Sequence, residues 1–341
     1  MGLNIRYGPM DWDYKTQMYD FGSAMVTNFQ GANTFGRTWY VCGTTGNDGQ
    51  NNGLTPNKAF KTIQKAIDTQ GAYRSAKVGN WNWGGRIIVM PGTYAETLTG
   101  TLTQVELMGA MPHAPNAVEI KPTTGSAFRG SLNKSAIRFM SLRRSSGTNT
   151  TYASLSMPTM VDSLVQNCII VGGDGDVATS TGIRIGTEAT AVTYENMARS
   201  RITGCTFAHR GNSTYALHFG IVFGLTNSTS QQATRQFIYS SIDNNTIHAL
   251  TTGIQLNAGK ANGSGGVIKY NIVGSGFDSG NCESYGIAST DAAGADQLVK
   301  VIGNYVSGSD AIYNFTSGNV QGNIGTAGAG GTPTGETGFA A

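Results

Sequence analysis

The side chains that could perform acid–base chemistry are few: 20 Asp and Glu and four His in 341 residues. Glycosidic hydrolysis needs two carboxylates with separated pKa values across a groove. Lyase chemistry needs a base and a charge stabiliser, often a metal held by carboxylates. The densest acidic stretch is Gly172-Gly173-Asp174-Gly175-Asp176. Its glycines mark a turn, where Asp is favoured structurally, and two carboxylates fall short of the oxygen shell calcium requires. Glu188, Glu195, Asp243, Asp278, Glu283, Asp291 and Asp296 stand singly. Asp243 follows Ile242 directly, so it faces outward if Ile242 faces inward, and a surface carboxylate is expected there.

His113, His209, His218 and His248 are far apart in sequence. His209 and His248 each follow a repeated strand by a few residues, which predicts a stacked or surface pair rather than a catalytic one. Cys42, Cys168, Cys205 and Cys282 match no zinc spacing. No phosphate-binding loop, nucleophile elbow or dinucleotide fingerprint is present. Catalytic residues are therefore unknown from sequence, and neither a cofactor nor a metal is expected.

The formal net charge is +3, with charged residues at 13%. Phosphate binding needs clustered Lys and Arg. The longest basic cluster is Arg143-Arg144, expected as a pair on a solvated face, so no nucleic-acid partner is predicted. No window approaches the length of a membrane span. Met1–Met10 lacks a long apolar run, which argues against a secretory signal and for folding in a cytoplasm.

Side chains must be positioned by a fold, and composition narrows it. Gly, Asn, Ser and Thr make up about two-fifths of the chain, with 48 Gly, while hydrophobic residues still reach 39%. That excludes disorder and long helices and leaves a turn-rich β protein. A short pattern recurs: an aliphatic residue, two others, Asn or Cys, one more, then an aliphatic or Phe. It runs from Val165, Ile202, Ile242, Ile268 and Val301, with a weak copy at Val320 and an earlier relative at Ile137. Its anchors are Cys168, Cys205, Asn245, Asn271, Asn304 and Asn323. Between copies comes a small residue followed by Ile, at Gly182-Ile183, Gly220-Ile221, Gly253-Ile254, Gly286-Ile287 and Ala311-Ile312.

Two short strands per unit with variable loops between them predict an all-β parallel solenoid, each coil about 4.8 Å above the last. Asn at a bend can stack on Asn of the next coil. Cys168 and Cys205 then belong to the same stack as small buried residues. An antiparallel sandwich is the alternative, but turn signals such as Asn52-Gly53 and Asn262-Gly263 do not recur between the strands.

Residues 1–36 carry no repeat and are rich in aromatics, as an arm that buries them against a partner would be. Thr38–Val41 reads as a strand and 43–55 as a loop. Residues 56–68 read as an amphipathic helix, with Thr55 as N-cap and Pro56 at its first position. Phe60, Ile63, Ala66 and Ile67 would share its apolar face. Arg86–Met90 reads as a buried strand before a turn at Pro91-Gly92.

These residues carry a resemblance. A strand, a Gly/Asn loop, the run from Thr55 to Asp68, the run from Gly84 to Leu98 and the irregular coils together resemble the pectin-lyase-like superfamily. The likeness spans roughly residues 38–325. It implies a right-handed, single-stranded parallel β-helix over 37–325, capped at its N-terminal mouth by the helix at 56–68. Residues 326–341 form a Gly-rich tail. For activity it implies little, because that superfamily holds lyases, hydrolases, epimerases and non-enzymatic phage proteins. Its polygalacturonase and pectate-lyase signatures are missing.

Within that superfamily the chain is most similar to bacteriophage virion spikes: no secretory signal, an unrepeated aromatic arm and weakly charged faces. The expectation is a homotrimeric virion protein, a tailspike or head decoration, assembled in a host cytoplasm. Residues 1–36 would bind capsid or tail proteins, and host surface polysaccharide is a candidate contact. The alternative is a polysaccharide lyase or glycoside hydrolase, which requires clustered carboxylates in a groove. A non-viral glycan-binding module is a third reading.

Overall fold

A computed structural model describes residues 37–76, 84–145, 153–172, 180–186, 196–208, 217–223, 236–249, 251–256, 265–274, 282–289, 299–313, 315 and 320–327. The proposed arm at 1–36 and the tail from 328 onward lie outside them.

The chain winds as a parallel β-helix. One ten-stranded sheet stacks Arg37–Val41, Gly85–Val89, Val105–Gly109, Ala136–Arg138, Leu164–Gln166, Arg201–Thr203, Ser241–Asp243, Val267–Lys269, Lys300–Ile302 and Val320–Gln321, one per coil. A 16-stranded second sheet supplies two strands per coil, such as Ile169–Val171 and Thr181–Ile185. A five-stranded third sheet holds Leu102–Thr103, Leu132–Asn133, Thr159–Val161, Asn196–Ala198 and Gln236–Ile238. Every pairing among these strands is parallel, as the irregular repeat requires.

Register explains the repeat. Ile87, Leu107, Ile137, Val165, Ile202, Ile242, Ile268 and Val301 are successive partners in the first sheet, all fully buried. Ile183, Ile221, Ile254, Ile287 and Ile312 form a second inward row. Burying each such side chain stabilises the fold by roughly 1.5–3 kcal/mol. The glycines before Ile183, Ile221 and Ile254 are required by close approach. A Cβ on Gly220 would stand 2.4 Å from Ile247 Cγ2, and one on Gly253 would stand 2.0 Å from Val273 Cγ1.

From the fourth first-sheet strand onward, the bend after each strand turns through a left-handed residue: Phe139, Asn167, Gly204, Asn244, Tyr270, Gly303 and Gly322. The next residue points inward, and from Cys168 onward it makes the predicted ladder. Asn245 Nδ2 donates to Asn271 Oδ1 at 2.9 Å, Asn271 Nδ2 to Asn304 Oδ1 at 2.9 Å, and Asn304 Nδ2 to Asn323 Oδ1 at 2.8 Å. Cys205 and Cys168 continue it as buried free thiols, and the Cys205 backbone N–H donates to Asn245 Oδ1 at 3.0 Å. Burial holds the Cys205 thiol well above its ordinary pKa.

A second ladder, of serines, lines the bend before four successive first-sheet strands. The Ser135 N–H donates to Ser163 Oγ (3.1 Å), Ser163 N–H to Ser200 Oγ (3.0 Å) and Ser200 N–H to Ser240 Oγ (3.0 Å).

The helix begins later than the sequence reading places it. Pro56–Lys58 is a single 3₁₀ turn, and Phe60 bridges Val41 as extended chain. The α-helix α1 spans Ile63–Ser75, with Thr62 as N-cap accepting from the Lys65 N–H. Thr55 therefore caps no α-helix. The physical reason is a competing hold on the chain. Asp48 accepts the backbone N–H groups of Lys61 (2.7 Å) and Thr62 (3.1 Å), which fixes the segment as an extended loop up to Thr62. Ile63, Ala66 and Ile67 do face the core, joined by Gln70, whose Oε1 accepts from Trp39 Nε1 at 2.7 Å. α1 lies against the first strands of all three sheets and so covers the N-terminal mouth of the solenoid.

Glu96 accepts the Ile63 N–H (2.8 Å) and the Gln64 N–H (2.9 Å), adding a second carboxylate at the helix start. Glu96→Gln removes the anion from both donors and leaves one of them facing an amide NH2, which cannot accept. The expected cost is about 1 kcal/mol, read as a lower denaturation midpoint with the coil content unchanged by circular dichroism.

Candidate functional site

The outer face of the first sheet carries the charged clusters. Outward residues alternate with the inward ladder in two rows, one through Arg86, Glu106, Arg201, Ser241 and Lys300, the other through Arg138, Thr203, Asp243 and Lys269. Parallel stacking sets partners one coil apart, so a cation on one coil reaches a carboxylate on the next.

Two networks result. Glu106, 2% exposed, accepts from Arg86 Nε at 2.6 Å and from Arg138 Nη1 at 3.2 Å. Asp243 accepts from Arg201 Nε at 2.8 Å and from Arg201 Nη2, which grips the other carboxylate oxygen. Ser241 Oγ (2.8 Å), Thr203 Oγ1 (3.1 Å) and Asn244 Nδ2 (3.0 Å) complete its shell. Burial pushes the Asp243 pKa up, but the hydrogen bonds and charge of Arg201, with Ser241 and Thr203, outweigh it and hold the carboxyl below its ordinary value.

This corrects one expectation. Asp243 does face outward, but it is 0% exposed rather than a surface carboxylate. Outward on a solenoid is not the same as solvated when a neighbouring coil lays a guanidinium over the position.

Arg143-Arg144 is corrected in the same way. Both are 1% exposed, not a solvated pair. Arg143 Nη2 donates to Glu119 Oε1 at 2.8 Å on the preceding coil. Burial and the nearby Arg184 charge lower the Arg144 pKa. Arg184, also buried, donates through Nη2 to Thr181 Oγ1 at 3.2 Å.

The other described carboxylates have structural partners too. Asp48 and Glu96 hold the start of α1, Asp162 pairs with Arg199 at an exposed bend, and Asp68 accepts from Gln64 Nε2. A general acid or base works best with a pKa near the operating pH. A carboxylate held ionised by arginine, as Asp243 is, acts instead as a staple between coils.

Asp174, Asp176, Glu188, Glu195, Asp278, Asp291, Asp296 and His209 lie outside the described residues, as does the Glu283 side chain. The predicted His209–His248 pairing therefore falls there as well. His218 Nδ1 lies 3.2 Å from Thr251 Oγ1, and His113 is exposed. Among the described residues, no three of His, Cys, Asp or Glu converge as a metal site. No described helix is long and apolar enough to cross a membrane.

Sequence reasoning missed the serine ladder, although its signal was present. Ser135, Ser163, Ser200 and Ser240 each stand two residues before an inward aliphatic: Ile137, Val165, Ile202 and Ile242.

No protein-family profile matches the chain, and no curated protein sequence does. Among solved structures, it is similar to the crystal structure of the pectin methylesterase from Aspergillus niger in deglycosylated form. The two share 13% identity over 90% of this chain and 93% of that one, with a TM-score of 0.36.

Proposed function

We propose that this chain is a structural protein of a bacteriophage virion, a homotrimeric β-helical spike on the capsid or tail. Residues 1–36 are its anchor, and its exposed coils face host surface glycans. One observation carries the reading: among the carboxylates whose side chains are described, all but Asp68 hold neighbouring coils or the helix start. A serine ladder braces one bend over the coils from Ser135 to Ser240, and an asparagine ladder braces another from Asn245 to Asn323. Such a chain is built for rigidity along one axis, which suits a spike. A lyase or hydrolase would need carboxylates free to exchange protons, whereas Asp243 and Glu106 are locked by Arg201, Arg86 and Arg138.

The test has two parts. Native mass measurement of the full chain should give three copies, and a monomer would overturn the trimer. Deleting residues 1–36 should leave the β circular-dichroism signal intact while abolishing incorporation into virions. Continued incorporation would overturn the anchor.

A further inference from the structure

Two tyrosines stand out at the bends that flank the first sheet, Tyr239 before Ser241–Asp243 and Tyr270 after Val267–Lys269. Tyr239 is 70% exposed and Tyr270 is 54% exposed, and both have left-handed backbones, with φ of 46° and 56°. The neighbouring coils show that the bends do not require a tyrosine. The left-handed turn is common to these files, through Arg199 and Gly265 on either side of Tyr239 and Asn244 and Gly303 on either side of Tyr270, whereas the exposed tyrosine is not.

Both rings are seated alike. A Cβ on Gly265 would fall 2.7 Å from the Tyr239 ring, and one on Gly303 would fall 2.7 Å from the Tyr270 ring. Each ring thus rests on bare glycine backbone of the next coil and opens to solvent. Between the two rings runs the outer face of Ser241–Asp243 and Val267–Lys269. Five residues along a strand and one step between strands separate the rings by roughly 17 Å.

The charge on this face is positive. Asp243 is matched by Arg201, while Lys300 is exposed and Lys269 Nζ lies 5.5 Å from the Tyr270 ring centroid.

We propose that Tyr239 and Tyr270 are the two ends of a binding platform for a linear glycan carrying anionic groups. The apolar faces of pyranose rings stack on the seated aromatics. Lys269 and Lys300 meet carboxylate or phosphate groups of the sugar chain. This deepens the glycan-contact part of the function proposed above. It is independent of the anchor and of trimer formation, because the isolated full chain carries the whole platform.

The test measures binding of the full-length protein to hyaluronan oligosaccharides, to a phosphomannan and to neutral dextran. At least one anionic probe should bind tenfold or more tightly than dextran, and which one identifies the anion. Tyr239→Gly and Tyr270→Gly should each weaken that binding at least tenfold while leaving the thermal midpoint unchanged or raised, since glycine adopts positive φ without strain. Tyr239→Asn and Tyr270→Asn, which place at these bends the residue type found at Asn244, provide a second pair with the same expectation. Lys269→Ala should weaken the anionic probe and leave dextran unaffected. Failure of both anionic probes to bind, or unchanged binding by the Tyr239→Gly/Tyr270→Gly double variant, overturns the platform. A collapse of the midpoint in both the Gly and the Asn variants also overturns it, by showing that the rings serve folding. Virion incorporation by the same double variant should be normal, so this failure and that of the anchor are distinguishable.

Discussion

Replacing Asn271 with Ala should lower the stability of the solenoid by about 3–5 kcal/mol, since each buried polar group left without a partner costs roughly 1–3 kcal/mol. Asn271 Oδ1 accepts both the backbone N–H of Asn245 (3.1 Å) and its Nδ2 (2.9 Å). Asn271 Nδ2 donates to Ile242 O (3.0 Å) and to Asn304 Oδ1 (2.9 Å). The alanine variant removes all four contacts at a site that is 0% exposed, where water reaches none of the groups left behind. Asn271→Leu should be as damaging or worse, because it orphans the same groups and adds bulk to a close-packed bend. Thr206→Ala, on an exposed outward position of the second sheet, is the control and should stay within about 0.5 kcal/mol. Denaturant titration checks the magnitude. Hydrogen exchange checks the location, since coils contact only their neighbours and protection should fail first around Asn245, Asn271 and Asn304. An alanine variant as stable as the control would show that the ladder contributes nothing.

That ladder is also where the sequence is most legible. A short pattern alone aligns Cys168, Cys205, Asn245, Asn271, Asn304 and Asn323, and they stack in one file. The Gly-Ile copies likewise fall into register, from Ile183 to Ile312. Both succeed because an inward position in a parallel stack is constrained by identical neighbours above and below.

Outward positions lack that constraint. Nothing local tells that Asp243 lies under Arg201, because the two are 42 residues apart and meet only when coils stack. The third sheet is hidden in the sequence for another reason. Thr159–Val161, Asn196–Ala198 and Gln236–Ile238 are three residues long, each with one central apolar side chain, which is too short to show alternation. For the helix, periodicity sets the face of Ile63, Ala66 and Ile67 correctly but misplaces the start. That start is decided by Asp48, a loop residue 14 positions before the cap at Thr62. For function, the motifs that name a chemistry are missing from the sequence, and among the described residues the charged side chains of the first sheet pair between coils.

The second large effect is expected at Asp243. Asp243→Asn should cost about 2–4 kcal/mol near neutral pH, somewhat below the 3–5 kcal/mol of a fully buried broken pair, because Arg201 keeps solvent contact and its stranded charge is partly hydrated. The Arg201 side chain is 26% exposed, against 0% for Asp243. The pH dependence follows from the direction of the shift. The folded carboxyl is held below its ordinary pKa, so the unfolded chain takes up a proton first as the solution is acidified. The stabilisation is therefore complete above the unfolded value of about 3.9 and is lost as the pH falls through the lower folded value. Parent and Asp243→Asn variant should differ most near neutrality and converge in strong acid. Denaturant midpoints at neutral pH and through the acid range measure this directly, and a difference that persists undiminished into strong acid would refute the staple. An Arg201→Met/Asp243→Leu double variant should recover much of the lost stability, because removing both charges leaves no ion stranded on the buried face. Such recovery would identify the pair as a connection between two coils, which is the role a rigid spike asks of it and not one that catalysis requires.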